Sequence, residues 1–168
     1  MRVRLVLAAA LGLAGLSLGG CSGGSTDNGA AHAGALERIT VTITSTNGPH
    51  AFSVEVAKTS AQQQQGLMFR TDLTPDQGML FYPYPGDGGP PREASFWMKD
   101  TPTPLDIVFI RPDGSIARIA ENTPPFSEKP IPSGEPVGAV LELVGGRTAE
   151  LGVAAGDHVE WPGRKPAS

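Results

Sequence analysis

Cysteine is nearly absent from this chain: Cys21 is the single one, so no disulfide can form within it. Basic residues are also few, because 13 lysines and arginines face 17 aspartates and glutamates and leave a formal net charge of −4. The chain has no basic arm or stripe, so nucleic-acid binding lacks an electrostatic basis. The fold must depend on a hydrophobic core, which one domain of this length can form without cross-links.

The apolar stretch of residues 5–18 is shorter than the roughly 20 residues that a transmembrane helix needs. It follows Arg2 and Arg4 and ends in small residues, an arrangement typical of a secretory signal. Residues 18–21, Leu-Gly-Gly-Cys, resemble the lipobox of bacterial lipoproteins, whose cysteine is lipidated and becomes the new N-terminus. We therefore predict a signal peptide over residues 1–20, a lipid anchor at Cys21 and an exported protein of the cell envelope. Where two membranes are present, the expected location is the outer membrane, facing the periplasm.

Long helical periods are scarce, whereas glycine and proline are common, with 22 and 16 residues. This composition indicates many turns between short strands. Residues 21–37 are small and polar and predict a flexible tether. We expect a single β-rich domain over residues 38–162, followed by a short tail over residues 163–168.

Local patterns predict the first elements of that domain. Apolar residues alternate with polar ones over residues 39–43 and again over residues 52–56, as in half-buried strands. The Asn47-Gly48 pair between them favours a hairpin with a somewhat extended loop, which would contain His50. Ser60 and Gln63 fit a capping box and predict the start of a short helix.

Further strands are predicted by apolar runs over residues 79–81, 94–98, 105–110, 115–120, 138–144 and 158–161. The Pro/Gly-rich residues 82–92 indicate an exposed loop, and the prolines of residues 123–136 allow only a loop or an edge strand. The predicted fold class is mainly β, with a compact barrel-like sheet of antiparallel or mixed strands and one or two short helices.

Several motifs together are similar to the bacterial and archaeal family called the domain of unknown function 192. They are Gln-Gly-Leu-Met-Phe-Arg at 65–70, Gly-Met-Leu-Phe at 78–81, Ser-Phe-Trp-Met-Lys-Asp-Thr at 95–101, Pro-Leu-Asp-Ile at 104–107, Val-Leu-Glu-Leu at 140–143, Leu-Gly-Val at 151–153 and Gly-Asp at 156–157. The resemblance implies a compact barrel-like sheet with one short helix, and it implies no particular activity. The chain departs from the family pattern at Gln64-Gln65, where the family usually has Glu-Arg, and at Asp100, where it usually has Asn.

The best candidate for a binding surface is the segment that contains Trp97, Lys99 and Asp100. In a strand, Trp97 and Lys99 would point to one side, where an aromatic ring and a cation can hold a saccharide or an anionic small molecule. Asp106 lies in an apolar run, so its carboxylate needs a partner, for which Arg70 or Lys99 are candidates. These five residues form the predicted binding set. The alternative is that they only stabilise the fold, through an ion pair of Asp106 and a packed Trp97.

Two other functions remain open at this point. Asp100, Asp106 or Glu142 could serve a hydrolase of saccharide or cell-wall material as an acid/base pair. Three methionines, Met68, Met79 and Met98, with His50 or His158, could bind copper(I), although each lies in an apolar run where packing is the commoner role. The sequence carries no nucleophile elbow, phosphate loop or dinucleotide fingerprint. We therefore predict a binding or accessory module with no catalytic residue, cofactor or metal, whose partners are a membrane and a small-molecule or saccharide ligand.

Overall fold

Nine strands and two short helices succeed one another through residues 35–165, the part of the chain that this computed structural model describes. The strands are β1 (Arg38–Ser45), β2 (Gly48–Ala57), β3 (Gln77–Phe81), β4 (Arg92–Phe96), β5 (Leu105–Ile110), β6 (Ile116–Thr123), β7 (Ile131–Val137), β8 (Ala139–Val144) and β9 (His158–Glu160). The helices are α1 (Ser60–Gln65), between β2 and β3, and α2 (Arg147–Glu150), between β8 and β9. The predicted mainly β fold with short helices is confirmed.

Seven of these strands form one sheet in the order β6-β5-β8-β3-β2-β1-β9. All neighbours are antiparallel except β2 and β3, which run parallel and are joined by a crossover that contains α1. The sheet curls into a half-barrel, and its two edges meet where Ser115 bridges to His158. The Val159 amide donates to the Gly114 carbonyl at 2.8 Å at this corner, which leaves neither edge free there.

The curled sheet has an inner and an outer face, and each carries its own hydrophobic cluster. The inner cluster includes Phe52, Leu80, Leu141 and Val159, all with at most 1% of their surface exposed. Successive side chains of a strand point to opposite faces of the sheet, so the neighbours of the inner residues lie on the outer face. The outer cluster there includes Met79, Phe81, Phe109 and Val140.

The outer face is covered by a second, two-stranded sheet made of β4 and β7. Phe96 of β4 packs edge-on against Phe81 and Phe109 of the large sheet, with ring centroids 5.0 and 6.0 Å apart. The prolines of β7 are tolerated because this strand pairs only with β4, which agrees with the predicted edge position. No helix within residues 35–165 is long and apolar enough to cross a membrane.

Three local predictions differ from the structure. The first hairpin closes directly, with Ser45 paired to Gly48, so His50 lies within β2 and not in a loop; its ring nitrogen Nε2 is 3.1 Å from the Ser45 hydroxyl. The capping box is formed by Thr59 and Gln62, one residue earlier than predicted, because both Thr59 and Ser60 have a hydroxyl that can cap a helix. β4 ends at Phe96, so Trp97 and Lys99 follow the strand instead of belonging to it.

Gln63, which does not serve in the capping box, holds the loop of residues 82–92 against α1. Its side-chain amide donates to the carbonyl of Pro83 at 2.8 Å, and its carbonyl oxygen accepts from the Gly86 amide at 2.8 Å. The predicted exposed loop is therefore exposed only in part, and Pro85 is buried. The predictions for the signal peptide, for Cys21 and for most of the tether fall on residues that lie outside the described part.

Candidate functional site

A pocket of about 450 Å³, called here the α1 pocket, could hold a ligand. It lies between the C-terminal end of α1, the loop of residues 82–92, the end of β4 and the outer face of β8. The parallel crossover from β2 to β3 carries α1 over this face, and Gln63 fixes the loop beside it. The volume is in the range of small-molecule sites, roughly 300 to 1,000 Å³.

Glu142 forms part of the pocket wall, at its contact with the sheet. It lies on β8, on the opposite face from Leu141 and Leu143, and is flanked by Met79 of β3 and Ile107 of β5. Only 4% of its surface is exposed, and no hydrogen bond or ion pair joins its carboxyl group to another of the described residues. Burial alone raises the pKa of Glu142 from 4.5 to about 8. At neutral pH it therefore presents an O–H donor instead of a charge.

Glycine at position 66 allows the end of α1 to approach this acid closely. A β-carbon at Gly66 would lie 3.2 Å from the Phe81 ring and 3.8 Å from Oε2 of Glu142. Gly66 also has a φ of +51°, which disfavours residues with a side chain. A larger residue here would fill the space directly above Glu142.

The mouth of the pocket carries aromatic, cationic and amide groups. Trp97 is 45% exposed, and Nζ of Lys99 lies 5.4 Å from the centre of its ring. Arg92 reaches the wall from β4 and is 3.2 Å from Asp87, so its charge is partly compensated at an exposed site. Gln64 and Gln65 add amide groups from α1, at two of the three positions where the chain departs from the family pattern. Burial also raises the pKa of Tyr84, which lines the same space.

The structure brings together only some of the predicted binding residues. Trp97 lines the pocket, and Lys99 lies beside its ring without lining the pocket itself. Arg70 is held by Glu55 and Asp72, at 3.1 and 2.7 Å. Asp100 contributes its carbonyl oxygen, which accepts from the Phe69 amide at 2.7 Å, and it does not line the pocket.

The ion pair expected for Asp106 is wrong. Its carboxylate accepts from the amides of Asn122, Gly146 and Thr148 at 2.7 to 2.8 Å, and from the Thr148 hydroxyl at 2.7 Å. Gly146 at the start of α2 has no side chain that could cap the helix. Asp106, which lies on β5, accepts hydrogen bonds from amides at the start of this helix instead. Backbone donors, which the sequence does not display, thus replace the expected cation.

Asp106 and Glu142 also lie on opposite faces of the sheet. Asp106 is paired with Leu143 of the inner cluster, whereas Glu142 is paired with Ile107 of the outer cluster. These two carboxyl groups therefore do not form an acid/base pair. Among the described residues that line the α1 pocket, Glu142 is the one carboxylic acid.

The candidate copper ligands are distributed through the fold. Met79 and Met98 are buried in the outer cluster, with 2% and 0% of their surface exposed, and Met68 lines the pocket. His50 of β2 contacts Ser45 of β1, and His158 lies where the two edges of the sheet meet. Within residues 35–165, no group of three or more His, Cys, Asp or Glu residues is arranged to hold a metal ion.

Sequence reasoning gave Glu142 too little weight and missed Arg92, Gln64 and Gln65 as parts of one site. A signal for Glu142 was available, because it is an acid within the apolar run Val-Leu-Glu-Leu of a predicted strand. The same signal had singled out Asp106. Arg92 and the glutamines have no such signal, since only the tertiary fold brings them to the pocket.

We expect Glu142→Gln to remove a pH dependence of stability. The unfolded chain releases the Glu142 proton near pH 4.5, whereas the folded protein keeps it up to about pH 8. Folding therefore takes up a proton between these values, and the free energy of unfolding falls with rising pH by up to about 1.4 kcal/mol per unit. Urea unfolding at several pH values should show that the free energy of unfolding of the variant increases relative to that of the wild-type protein as the pH rises from 4.5 to about 8. Parallel curves for the two proteins would contradict the buried neutral acid.

Comparison with known proteins shows the family to which the chain belongs. The family model DUF192, described as Uncharacterized ACR, matches residues 41–161. A protein of unknown function from Novosphingobium aromaticivorans DSM 12444 is 47% identical, with 75% of this chain and 86% of that chain covered and a TM-score of 0.70. A protein of known structure from Sinorhizobium meliloti 1021, described as a candidate transcription regulator, is 42% identical, with a TM-score of 0.70. The match covers 76% of this chain and 95% of that chain. Among curated proteins no match was found. The chain therefore belongs to the DUF192 family.

Proposed function

We propose that this protein is a lipid-anchored module of the cell envelope that binds an N-acetylated saccharide in the α1 pocket without catalysing its hydrolysis. The observation that carries the proposal is the buried, neutral Glu142 in a pocket whose mouth presents an exposed tryptophan. An aromatic ring offers a flat apolar face to the C–H face of a sugar. A neutral carboxylic acid offers a hydrogen bond that does not require an ionic ligand.

The mixture of groups in the pocket fits an acetamido substituent. Its carbonyl oxygen is an acceptor for the O–H of Glu142, and its methyl group matches the apolar wall of Leu67 and Phe81. The side-chain amides of Gln64 and Gln65 can donate to and accept from sugar hydroxyls. Arg92 adds a donor for a carboxylate or hydroxyl at the mouth.

The same geometry favours binding over glycoside hydrolysis. Most glycosidases use two carboxyl groups, roughly 5 to 9.5 Å apart, on either side of the scissile bond. Glu142 has no second carboxyl group beside it among the described residues that line the pocket. Asp106, the other buried acid, is on the far face of the sheet and is already saturated with hydrogen bonds.

The description of the Sinorhizobium protein as a candidate regulator does not lead us to propose a nucleic-acid ligand. The formal net charge of this chain is −4, and Arg70, Arg92 and Arg147 each form ion pairs with acidic residues. A protein that neutralises DNA phosphates needs uncompensated cations arranged on one face.

Calorimetric titration with di-N-acetylchitobiose tests the pocket. We expect measurable binding by the wild-type protein and an affinity at least about tenfold lower for Trp97→Ala and for Glu142→Leu, because each removes one of the two main contacts. Asp113→Asn, in the distant turn before β6, is the matched control and should bind like the wild-type protein. Absence of binding by the wild-type protein contradicts the proposed ligand.

The lipid anchor has a separate test. Cys21→Ser should move the protein from the membrane pellet to the soluble fraction, because a lipoprotein cysteine carries several acyl chains and each buried methylene contributes about 0.8 kcal/mol. Membrane fractionation of cells that express either form measures the change. Retention of the serine variant in the pellet at the wild-type level would contradict the anchor.

A further inference from the structure

Three large hydrophobic side chains lie exposed next to the α1 pocket. Phe69, Trp97 and Phe126 are 71%, 45% and 63% exposed. Within residues 35–165, these three are the exposed large hydrophobic residues. We call these three residues the aromatic rim. Apolar groups that gather on one surface often mark an interaction site, so three exposed rings on segments that border one pocket need an explanation.

One short loop, residues 97–101, holds the three parts of the aromatic rim together. Trp97 begins this loop. The Phe69 amide donates to the Asp100 carbonyl at 2.7 Å, and the Phe126 amide donates to the Thr101 carbonyl at 3.2 Å. The rim residues are far apart in the sequence, so the tertiary fold assembles them around this loop.

The backbone at this loop is also strained. Phe69, Asp100 and Phe126 have φ values of +64°, +52° and +59°, the left-handed region that side chains other than glycine rarely adopt. Each such conformation is unfavourable for a residue that carries a side chain. Glycine at any of the three positions would avoid this strain, yet two of them carry phenylalanine with its ring in solvent. Packing within the fold does not account for these two rings.

The aromatic rim is continuous with the pocket mouth. Trp97 belongs to both, Met68 lines the pocket immediately before Phe69, and Thr101 lines it where it accepts from Phe126. A ligand that is longer than the pocket would therefore leave it beside Trp97 and meet Phe69 or Phe126 next. This continuity indicates that the rim serves the occupant of the pocket.

We propose that the aromatic rim forms outer subsites for the same saccharide, so that the ligand is an oligosaccharide chain of which one end enters the α1 pocket. This inference rests on the proposed function and extends it. Successive sugar rings present flat apolar faces at regular spacing, which suits several separate aromatic rings better than one deep hydrophobic groove would. The pocket selects the terminal residue of the chain, and the rim adds affinity with chain length.

Titration of the full chain with di-N-acetylchitobiose and with tetra-N-acetylchitotetraose tests the rim separately from the pocket. For the wild-type protein we expect the tetramer to bind about tenfold or more tightly than the dimer. Phe69→Gly and Phe126→Gly should each abolish much of that difference and leave the affinity for the dimer unchanged. Glycine is the chosen replacement because it accepts the positive φ, so these variants should unfold at or above the wild-type temperature.

The controls and outcomes are distinct. Phe69→Tyr keeps a ring and should keep the preference for the tetramer. Equal affinity of the wild-type protein for dimer and tetramer would overturn the rim subsites and leave the pocket intact. Failure to bind either saccharide would overturn the proposed function together with this extension. A membrane contact would give a different set of results. The Cys21→Ser protein would co-sediment with phosphatidylcholine vesicles, the Phe69→Gly substitution would abolish this co-sedimentation, and the protein would not prefer the tetramer to the dimer.

Discussion

Gly78→Ala is expected to lower the free energy of unfolding by about 3 kcal/mol or more, the upper range for overpacking a core. Gly78 lies on β3 between β2 and β8, paired with Val54 on one side and Leu143 on the other. A β-carbon there would stand 2.0 Å from the backbone carbonyl oxygen of Glu142. Neither strand can move without breaking ladder hydrogen bonds, so the added carbon must separate β3 from β8.

Gly89→Ala is the matched control for this substitution. Gly89 is exposed in the loop of residues 82–92, and a β-carbon there would meet only the side chains of Asp87 and Pro85, at 3.1 and 3.6 Å. Its effect should stay within about 0.5 kcal/mol. Urea unfolding of both variants provides the comparison. A Gly78→Ala protein as stable as the Gly89→Ala protein would show that β3 and β8 are not packed as described.

Asp106→Asn is expected to destabilise the protein by about 3 kcal/mol or more, because the asparagine NH₂ group cannot accept from the buried donors that it would face, and each donor left unpaired costs about 1 to 3 kcal/mol. The carboxylate is fully buried and accepts four hydrogen bonds, from Asn122, Gly146 and Thr148. Asparagine has one acceptor oxygen in place of two, so at least one buried amide loses its partner. The loss should appear in urea unfolding as a lower midpoint.

Asp113→Asn is the control that separates burial from hydrogen bonding. Asp113 also accepts from a backbone amide and a hydroxyl, both of Ser115, at 2.9 and 2.7 Å, but it is exposed in a turn. Water can replace these contacts, so the expected change is below about 1 kcal/mol. Equal effects of the two substitutions would contradict the role of Asp106 as a buried cap.

Local sequence patterns predicted much of the fold because short apolar or alternating runs mark most of its strands, and two strand pairs, β1-β2 and β5-β6, are joined by short hairpins. The alternating runs of β1 and β2 lie on either side of the Asn47-Gly48 pair, so every part of this signal is within a few residues of the others. The pairing of β4 with β7 joins segments about 40 residues apart, and the prolines of β7 hide it. The parallel crossover through α1 was likewise not predicted, since no local signal distinguishes it from another hairpin.

The two buried acids show why the site was harder to predict than the fold. Asp106 and Glu142 both interrupt apolar strands, and β5 and β8 are neighbours in the sheet. A one-residue difference in register places them on opposite faces, where Asp106 meets the amides of the turn into α2 and Glu142 meets a pocket. Every residue except proline has a backbone amide, so the sequence does not show which amides will bind a buried carboxylate. Trp97 was identified because it and Lys99 are two positions apart, which is a local feature, although the strand expected to hold them ends at Phe96.

A titration of the Glu142 side-chain carboxyl carbon by ¹³C NMR measures directly whether the pocket contains a neutral acid. The resonance can be assigned by its absence from Glu142→Gln. We predict a midpoint near pH 8 in the free protein, as burial without a partner requires, and an upward shift when di-N-acetylchitobiose accepts the carboxyl proton in a hydrogen bond. A midpoint near 4.5, unchanged by the saccharide, would show that Glu142 is charged and solvated and would contradict its role in the site.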